Sequence, residues 1–253
     1  MELQEWIDRK RESLRILSLP SARNLTPSIR DFSLAVTTQK QFLAVVAEIA
    51  RATPEEGALG EVQEPALLAE EFESCGVAAV AVATDEIACG GSIQDLARAS
   101  PVCSGPVVMR DLVLSREQLY LARLAGSDAV LLTTAAVEGG ELRALMETAG
   151  SMHMACPVEV RSEAELLRAS QAGARLVVIP AFEKAGLSLE LADRLLPKLP
   201  RTLSCIVRGP FARPEDLAPI RGRADAIWLA GPLIRSENRA SYLSALVEAA
   251  TNA

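Results

Sequence analysis

The sequence predicts an α/β fold, a single (β/α)8 TIM barrel with an N-terminal helical extension. The first observation is a repeated phrase, a helix end followed by a turn and a strand, with its turn at Gly76, Gly126 and Gly173. These glycines lie about fifty residues apart, which leaves room for two strand and helix units between neighbouring copies. The second observation is that strand-like runs also lie midway between the copies. An open doubly wound sheet is the alternative arrangement of the same units.

Eight short runs rich in β-branched residues are the predicted strands, and the amphipathic segments between them are the predicted helices. The strands are expected at residues 43–48, 78–83, 106–110, 128–133, 157–160, 175–179, 203–208 and 225–230. Helical spacing of apolar residues is clear in EPALLAEEFESCG and in SREQLYLARLAG. Residues 1–40 precede the first strand as a helical extension, within one domain that spans 1–253.

Composition limits the class of protein. The 253 residues are 49% hydrophobic and 23% charged, which suits one large domain, although two small domains would also fit. A net charge of −7 without a dense Lys/Arg run argues against nucleic-acid binding. Neither a membrane-spanning apolar stretch nor a signal-like N-terminus is present, so no membrane association is expected. The five cysteines form no CxxC pair, which predicts free thiols in a reducing cytoplasm and no metal site.

Charged residues stand at the ends of the odd-numbered predicted strands, at Glu48, Arg110, Glu159 and Arg208. In a barrel, inward side chains from alternate strands share a layer, and chemistry lies at the C-terminal ends of the strands. Two acids and two bases are therefore expected to converge there. Buried charges are costly unless they are paired. Two interpretations remain open, a compensated ion-pair ring and an anionic-substrate pocket with a carboxylate base.

Phrases along nearly the whole chain match the motifs of one enzyme family. AEIARATPEEG is similar to A-E-I-K-x-x-S-P-S-x-G, and TDEIACGGSIQDL is similar to T-D-E-x-F-F-x-G-S-x-x-D-L. PVVMRDLVLSREQLYLARLAGSDAVLL is similar to P-V-L-R-K-D-F-x-x-x-x-x-Q-x-x-x-A-R-x-x-G-A-D-A-V-L-L. The sequence thus resembles indole-3-glycerol phosphate synthase, the barrel of tryptophan biosynthesis that decarboxylates, cyclises and dehydrates a carboxyphenylamino-deoxyribulose phosphate.

The resemblance implies catalytic positions at Glu48, Arg110, Glu159 and Arg208, two of them substituted. Glu48 and Glu159 match the family's acids, and Glu159 resembles its proton-transfer carboxylate. The family's strand-three lysine, its general acid, falls on Arg110, whose guanidinium holds its proton too tightly to donate it near neutral pH. The strand-one lysine falls on Ala50, and Arg208 stands where the family has a glutamate. In strand six the family's G-I-N-N-R falls on VIPAF, which removes an amide and an arginine.

The resemblance also implies phosphate binding by Thr53, Gly209 and Gly231. Thr53 replaces a phosphate-contacting serine, and the two glycines lie in the loops after strands seven and eight. Pro210 and Pro232 bring residues without an N–H into those loops. A weaker or displaced anion site is expected, in which Arg110, Arg208 or Arg235 offset the lost donors.

Two neighbouring acids follow Thr53 in the first loop. Glu55 and Glu56 are predicted to be solvated there, and would repel phosphate if the loop folds over the site.

Three functions remain compatible with these residues. The first is an indole-3-glycerol phosphate synthase with a diverged site, which works slowly or on a changed substrate. The second is a non-catalytic barrel that binds a small anionic or phosphorylated ligand or an unidentified protein partner. The third is a different lyase or isomerase in which Glu159 is the base and Arg110 and Arg208 hold an anionic substrate. None of the three calls for a cofactor.

Overall fold

Eight apolar runs form the parallel strands of the protein, in a computed structural model that describes residues 3–16, 25–37, 42–62, 64–183 and 186–252. Every predicted strand is present. The strands are β1 (Ala44–Ile49), β2 (Ala79–Ala83), β3 (Val107–Arg110), β4 (Ala129–Val130 and Leu132–Thr133), β5 (Val158–Glu159), β6 (Leu176–Pro180), β7 (Ser204–Gly209) and β8 (Ala226–Leu229).

The strands pair in one ring. β1 lies between β2 and β8, and the order continues through β3 on one side and through β7, β6 and β5 on the other. The two halves of β4 close the ring, because Ala129–Val130 pairs with β3 and Leu132–Thr133 pairs with β5. The predicted (β/α)8 barrel is confirmed, and the doubly wound alternative is wrong.

Helices alternate with the strands on the outside of the ring. Local sequence explains their ends: Pro65 begins the helix after β1, and Gly173 ends the helix before β6 at a φ of 98° that other residues rarely adopt. The α-helices are α1 (Leu3–Ile16), α2 (Phe32–Thr37), α3 (Pro65–Ser74), α4 (Glu86–Cys89), α5 (Ile93–Ala99), α6 (Arg116–Leu124), α7 (Gly139–Ser151), α8 (Glu163–Ala172), α9 (Glu190–Leu195), α10 (Gly231–Arg235) and α11 (Arg239–Thr251). A 3-10 helix at Pro214–Ile220 replaces an α-helix between β7 and β8. Among the described helices, none combines the length and the apolar composition that crossing a membrane requires.

The two helices that the structure describes before β1 cover opposite ends of the barrel. Phe32 of α2 is fully buried in the cluster of side chains that fills the barrel interior. Arg30, just before α2, pairs with Asp128 at the start of β4, so α2 lies at the N-terminal end. Lys10 of α1 instead pairs with Asp85 and Asp111, which follow β2 and β3. α1 therefore covers the C-terminal end of the barrel, where the predicted site residues lie. The division of the chain into an extension at 1–40 and a barrel stays a prediction.

Candidate active site

Strand alternation determines which side chains enter the barrel. In β1, Val46 belongs to the interior cluster, whereas Val45 and Ala47 pack outside against the helices. Glu48 follows Val46 by two residues and therefore points inward. The same alternation applies in β7, where Ile206 is interior and Arg208 follows it by two residues. This explains why a buried apolar strand ends on a carboxylate: each charged residue takes the last inward position of its strand.

Glu48 is completely buried between two arginines. One of its oxygens, Oε1, lies 3.4 Å from Nη1 of Arg110, and the other, Oε2, lies 3.8 Å from Nη1 of Arg208. Oε2 also accepts a 2.8 Å hydrogen bond from the indole Nε1 of Trp228 in β8. A buried carboxylate is stable only with such partners, so this residue depends on both arginines and on the indole.

Arg208 links the acids of the site. Its Nη2 lies 3.6 Å from Oε2 of Glu159, and its guanidinium carbon lies 4.7 Å from the ring centroid of Phe182. The side chain is only 1% exposed, yet its Nε and Nη1 atoms have no hydrogen-bond partner among the described residues. Arg208 thus retains unused donor capacity in a buried position.

Glu55 brings an additional acid into the site. It extends from the loop between Ala52–Thr53 and Gly57–Ala58, two short segments that pair with each other after β1. Its Oε1 accepts a 2.7 Å hydrogen bond from Nη2 of Arg208, and its Oε2 lies 3.6 Å from Nη2 of Arg110. The prediction that Glu55 is solvated is wrong, since its side chain is 11% exposed. Burial raises the pKa of Glu55, but the arginines around it, with Arg208 foremost, lower it to about 2.

Arg161 completes the cluster. It donates 2.9 Å hydrogen bonds from Nε to Glu159 and from Nη2 to Glu55. Its pKa is raised, mainly by the charge of Glu159. Sequence analysis missed this residue, although its position two residues beyond Glu159 was the available signal. We call Glu48, Glu55, Glu159, Arg110, Arg161 and Arg208 the charge cluster; it holds equal numbers of acids and bases.

The cluster contains a cation that keeps its proton. Burial alone would lower the pKa of Arg110, but the neighbouring charges, with Glu48 foremost, together outweigh that effect and raise the pKa well above its ordinary value. Its Nη1 donates a 3.0 Å hydrogen bond to Sγ of Cys89. Burial raises the pKa of that thiol to about 11. Arg110 and Cys89 are therefore both protonated at neutral pH and are poor proton donors there.

Two of the three predicted phosphate residues, Thr53 and Gly231, contact Glu56. The backbone N–H of Gly231 donates a 3.1 Å hydrogen bond to its Oε2, and Nη2 of Arg235 donates a 2.6 Å hydrogen bond to its Oε1. The buried Thr53 does not face outward; its Oγ1 accepts the backbone N–H of Glu56 at 3.0 Å. Gly209 is buried at the end of β7, where an added Cβ would lie 3.2 Å from Ala181. Thr53 and Gly231 thus bind the same acidic residue, and Gly209 permits close packing.

A cavity of about 360 Å³ lies between the charge cluster and α1. Arg110, Glu159 and Arg208 line it from the barrel, and Trp6 lines it from α1. The helix is held in place by Lys10, whose Nζ lies 2.9 Å from Oδ2 of Asp85 and also pairs with Asp111. The site is therefore a charged pocket, partly covered by α1, of the size that a small molecule needs.

A family model for indole-3-glycerol phosphate synthase matches residues 1–246. The chain belongs to the indole-3-glycerol phosphate synthase family. An indole-3-glycerol phosphate synthase of Parafrankia sp. (strain EAN1pec) is 35% identical over 247 residues, which cover 96% of this chain and 91% of that protein. One from Mycobacterium sp. (strain KMS) is 34% identical over 213 residues, 83% of this chain and 78% of that protein.

A solved structure supports the fold independently of the family. The tryptophan synthase alpha chain from Legionella pneumophila subsp. pneumophila aligns with a TM-score of 0.67 over 89% of this chain and 98% of that chain. Its identity is 14%, so it is evidence for the barrel alone.

Membership of the indole-3-glycerol phosphate synthase family makes the substituted positions informative. Ala50, which matches the family's strand-one lysine, is buried and carries no charge. The neighbouring Arg51 does not replace that cation, because its guanidinium pairs with Asp95 on α5 and donates to the carbonyl of Val62. Pro180 ends β6, and Phe182 lies against Arg208. Among the described residues, the cations that line the pocket are the arginines of the charge cluster, while Lys10 of α1 is paired with Asp85 and Asp111 beside it.

Proposed function

We propose that this indole-3-glycerol phosphate synthase family barrel binds a small organic anion in its charged pocket and performs the family's ring closure slowly or not at all. The observation that carries the proposal is the position of Arg110 between Glu48 and Glu55, with distances of 3.4 and 3.6 Å to their carboxylates. A guanidinium in this environment attracts an anion but keeps its proton.

Anion binding is supported by the partly unused donors of the pocket. Arg208 is buried with two nitrogen atoms that lack hydrogen-bond partners among the described residues. A carboxylate or phosphate oxygen satisfies such donors better than a neutral group does, because charge-assisted hydrogen bonds are stronger. Arg161 is half-exposed beside them and also lines the cavity.

Loss of the family reaction is supported by the described neighbours of Glu159, none of which is a suitable proton donor. Dehydration of the cyclised intermediate needs a proton on the leaving hydroxyl, and a positioned general acid contributes about two to four orders of magnitude in rate. Glu159 is in place to accept a proton, but its neighbours in the cluster are guanidiniums. The pocket therefore favours binding over turnover.

Ultrafiltration tests both halves of the proposal at once. Protein in excess is mixed with the carboxyphenylamino-deoxyribulose phosphate, and the retained fraction is analysed for substrate and for indole product. The expected result is substrate that is retained and recovered unchanged. Arg161→Gln should reduce retention, whereas the matched surface change Arg175→Gln should not. Free passage of the substrate would overturn the binding claim, and prompt conversion would overturn the loss of activity.

A further inference from the structure

The loop that carries Glu55 and Glu56 places two adjacent carboxylates in two different cationic environments. Glu55 lies among Arg110, Arg161 and Arg208, the arginines of the charge cluster. Glu56 points to the other side, onto the backbone N–H of Gly231 and the guanidinium of Arg235. One short loop therefore supplies the carboxylate that pairs with the arginines of the charge cluster and the carboxylate that pairs with Arg235.

We infer that Glu55 and Glu56 are internal competitors for anions, and that a ligand with two separated acidic groups binds by displacing them together with their loop. This inference rests on the proposed function, since it concerns the same pocket. It identifies the ligand class as a dianion or larger polyanion whose acidic groups replace one carboxylate each. It also identifies the loop as the element that keeps the pocket closed in the absence of ligand.

Charge balance supports the exchange of Glu55. With Glu55 in place, the charge cluster has equal numbers of acids and bases. Its departure would leave an excess positive charge in a buried position, which is unfavourable until another anion arrives. An incoming carboxylate or phosphate oxygen restores the balance. Nε and Nη1 of Arg208, which have no hydrogen-bond partner among the described residues although Nη1 lies 3.8 Å from Glu48, give such a ligand donors that Glu55 does not use.

The contacts of Glu56 support the second exchange. Its carboxylate lies so close to Gly231 that an added Cβ there would collide with it. The N–H of Gly231 and the Nη2 of Arg235 both donate to it, which is an arrangement that also suits a phosphate oxygen. The Arg235 side chain is 43% exposed, so this place is open to solvent from one side.

The loop can leave without breaking the barrel. It pairs only with itself in the described sheets, through Ala52 with Ala58 and Thr53 with Gly57, and it is not a strand of the main ring. Gly57 has a φ of 71°, a conformation that glycine adopts without strain. Opening of the loop tip beyond the buried Thr53 breaks the ion pairs of the two glutamates and the backbone contacts of Glu56 with Thr53 and Gly231. An arriving ligand with two acidic groups replaces the ion pairs.

The test is the affinity of variants that keep the loop but remove its charges. Glu55→Gln, Glu56→Gln and the double variant are titrated by calorimetry with inorganic phosphate and with the carboxyphenylamino-deoxyribulose phosphate. Removing a competitor raises the fraction of binding-competent protein, so each change should tighten binding of the two-acid compound about tenfold, and the double variant more than either. Phosphate, with one acidic group, should gain mainly from Glu56→Gln. Glu64→Gln, an exposed acid nearby, is the matched control and should behave as wild type.

The outcomes separate this inference from the proposed function. Unchanged or weaker binding by Glu56→Gln and by the double variant, with clear binding by the wild type, would overturn the inference and leave the proposed function standing. Failure of every protein to bind either compound would overturn both. If Glu55→Gln does not fold, Glu56→Gln still decides, because its partner Arg235 is at the surface and its loss leaves the charge cluster intact.

Discussion

Nη2 of Arg208, at the end of β7, lies 2.7 Å from Oε1 of Glu55, in the loop after β1. The two residues are 153 positions apart in the chain, and their ion pair connects the most mobile kind of element, a loop, to the rigid barrel. The same pair gives the charge cluster equal numbers of acids and bases and occupies Nη2, one of the donor groups of Arg208. Under the proposed function, stability and ligand binding depend on the same ion pair, and the predictions below test its contribution to stability.

Arg208→Ala should destabilise the fold strongly. The change removes the partner of Glu48, Glu55 and Glu159 together. Removal of one partner of a buried ion pair costs about 3–5 kcal/mol, because the remaining charge stays buried without compensation. Urea denaturation followed by circular dichroism measures the change, with the exposed Arg175→Ala as control. An unchanged midpoint for Arg208→Ala would show that the cluster is not held by this arginine.

Trp228→Phe should cost less than the loss of an arginine. The indole N–H donates to the buried carboxylate of Glu48 at 2.8 Å, and phenylalanine keeps most of the ring without the donor. A hydrogen bond to a charged group contributes about 1.5–3 kcal/mol. Denaturation by urea again gives the value. A variant as stable as wild type would mean that Glu48 obtains all its stabilisation from the arginines.

Lys10→Met should release α1 from the barrel top. The substitution keeps most of the length of the unbranched side chain but leaves Asp85 and Asp111 without their shared cation. Hydrogen exchange over residues 3–16 should become faster, while exchange in β1 should hardly change. Arg11→Met, on the exposed side of the same helix, is the control. Equal protection in both variants would contradict the role of Lys10 as the attachment of α1.

The contribution of Glu55 should disappear in acid. Its folded-state pKa of about 2 is below the ordinary 4.5, so the stabilisation is present above pH 4.5 and is lost as the pH falls towards 2. The difference in unfolding free energy between wild type and Glu55→Gln should therefore be largest near neutrality and should shrink below pH 4.5. Burial raises the pKa of Asp111 to about 6, so this residue changes stability with pH in the opposite direction. Its contribution is the same in wild type and in Glu55→Gln, and it therefore cancels in the difference between their unfolding free energies. A difference that is independent of pH would contradict the ion pairs of Glu55.

Sequence reasoning predicted the barrel and its inward acids and bases for a simple physical reason. Alternation in β-strands is local, so a charged residue two positions after a buried one must enter the same interior. Glu48 and Arg208 were predictable in this way. Glu55 was not, because a glutamate in a polar loop is usually solvated, and only the arginines of distant strands draw it into the pocket. The fold of a loop depends on such tertiary partners, which no local pattern encodes.

The pairing of Asp111 with Lys10 could not be predicted from the sequence for the same reason. Asp111 follows directly on Arg110 and is typical of a solvated strand end, but α1 covers it and Lys10 pairs with it. That pairing depends on a helix about a hundred residues earlier in the chain.

The most direct test of the account is a single-turnover fluorescence assay of ring closure. Wild-type protein in excess is mixed with the carboxyphenylamino-deoxyribulose phosphate, and indole product is followed over time beside an indole-3-glycerol phosphate synthase that has both family lysines. Glu159→Gln, prepared in the same way, controls for a contaminating host enzyme. The account predicts no product, or product at least about a hundredfold slower than in the complete enzyme, because it proposes that Arg110 stands in place of the proton donor and cannot supply the proton. Product at the rate of the complete enzyme, lost in Glu159→Gln, would contradict it.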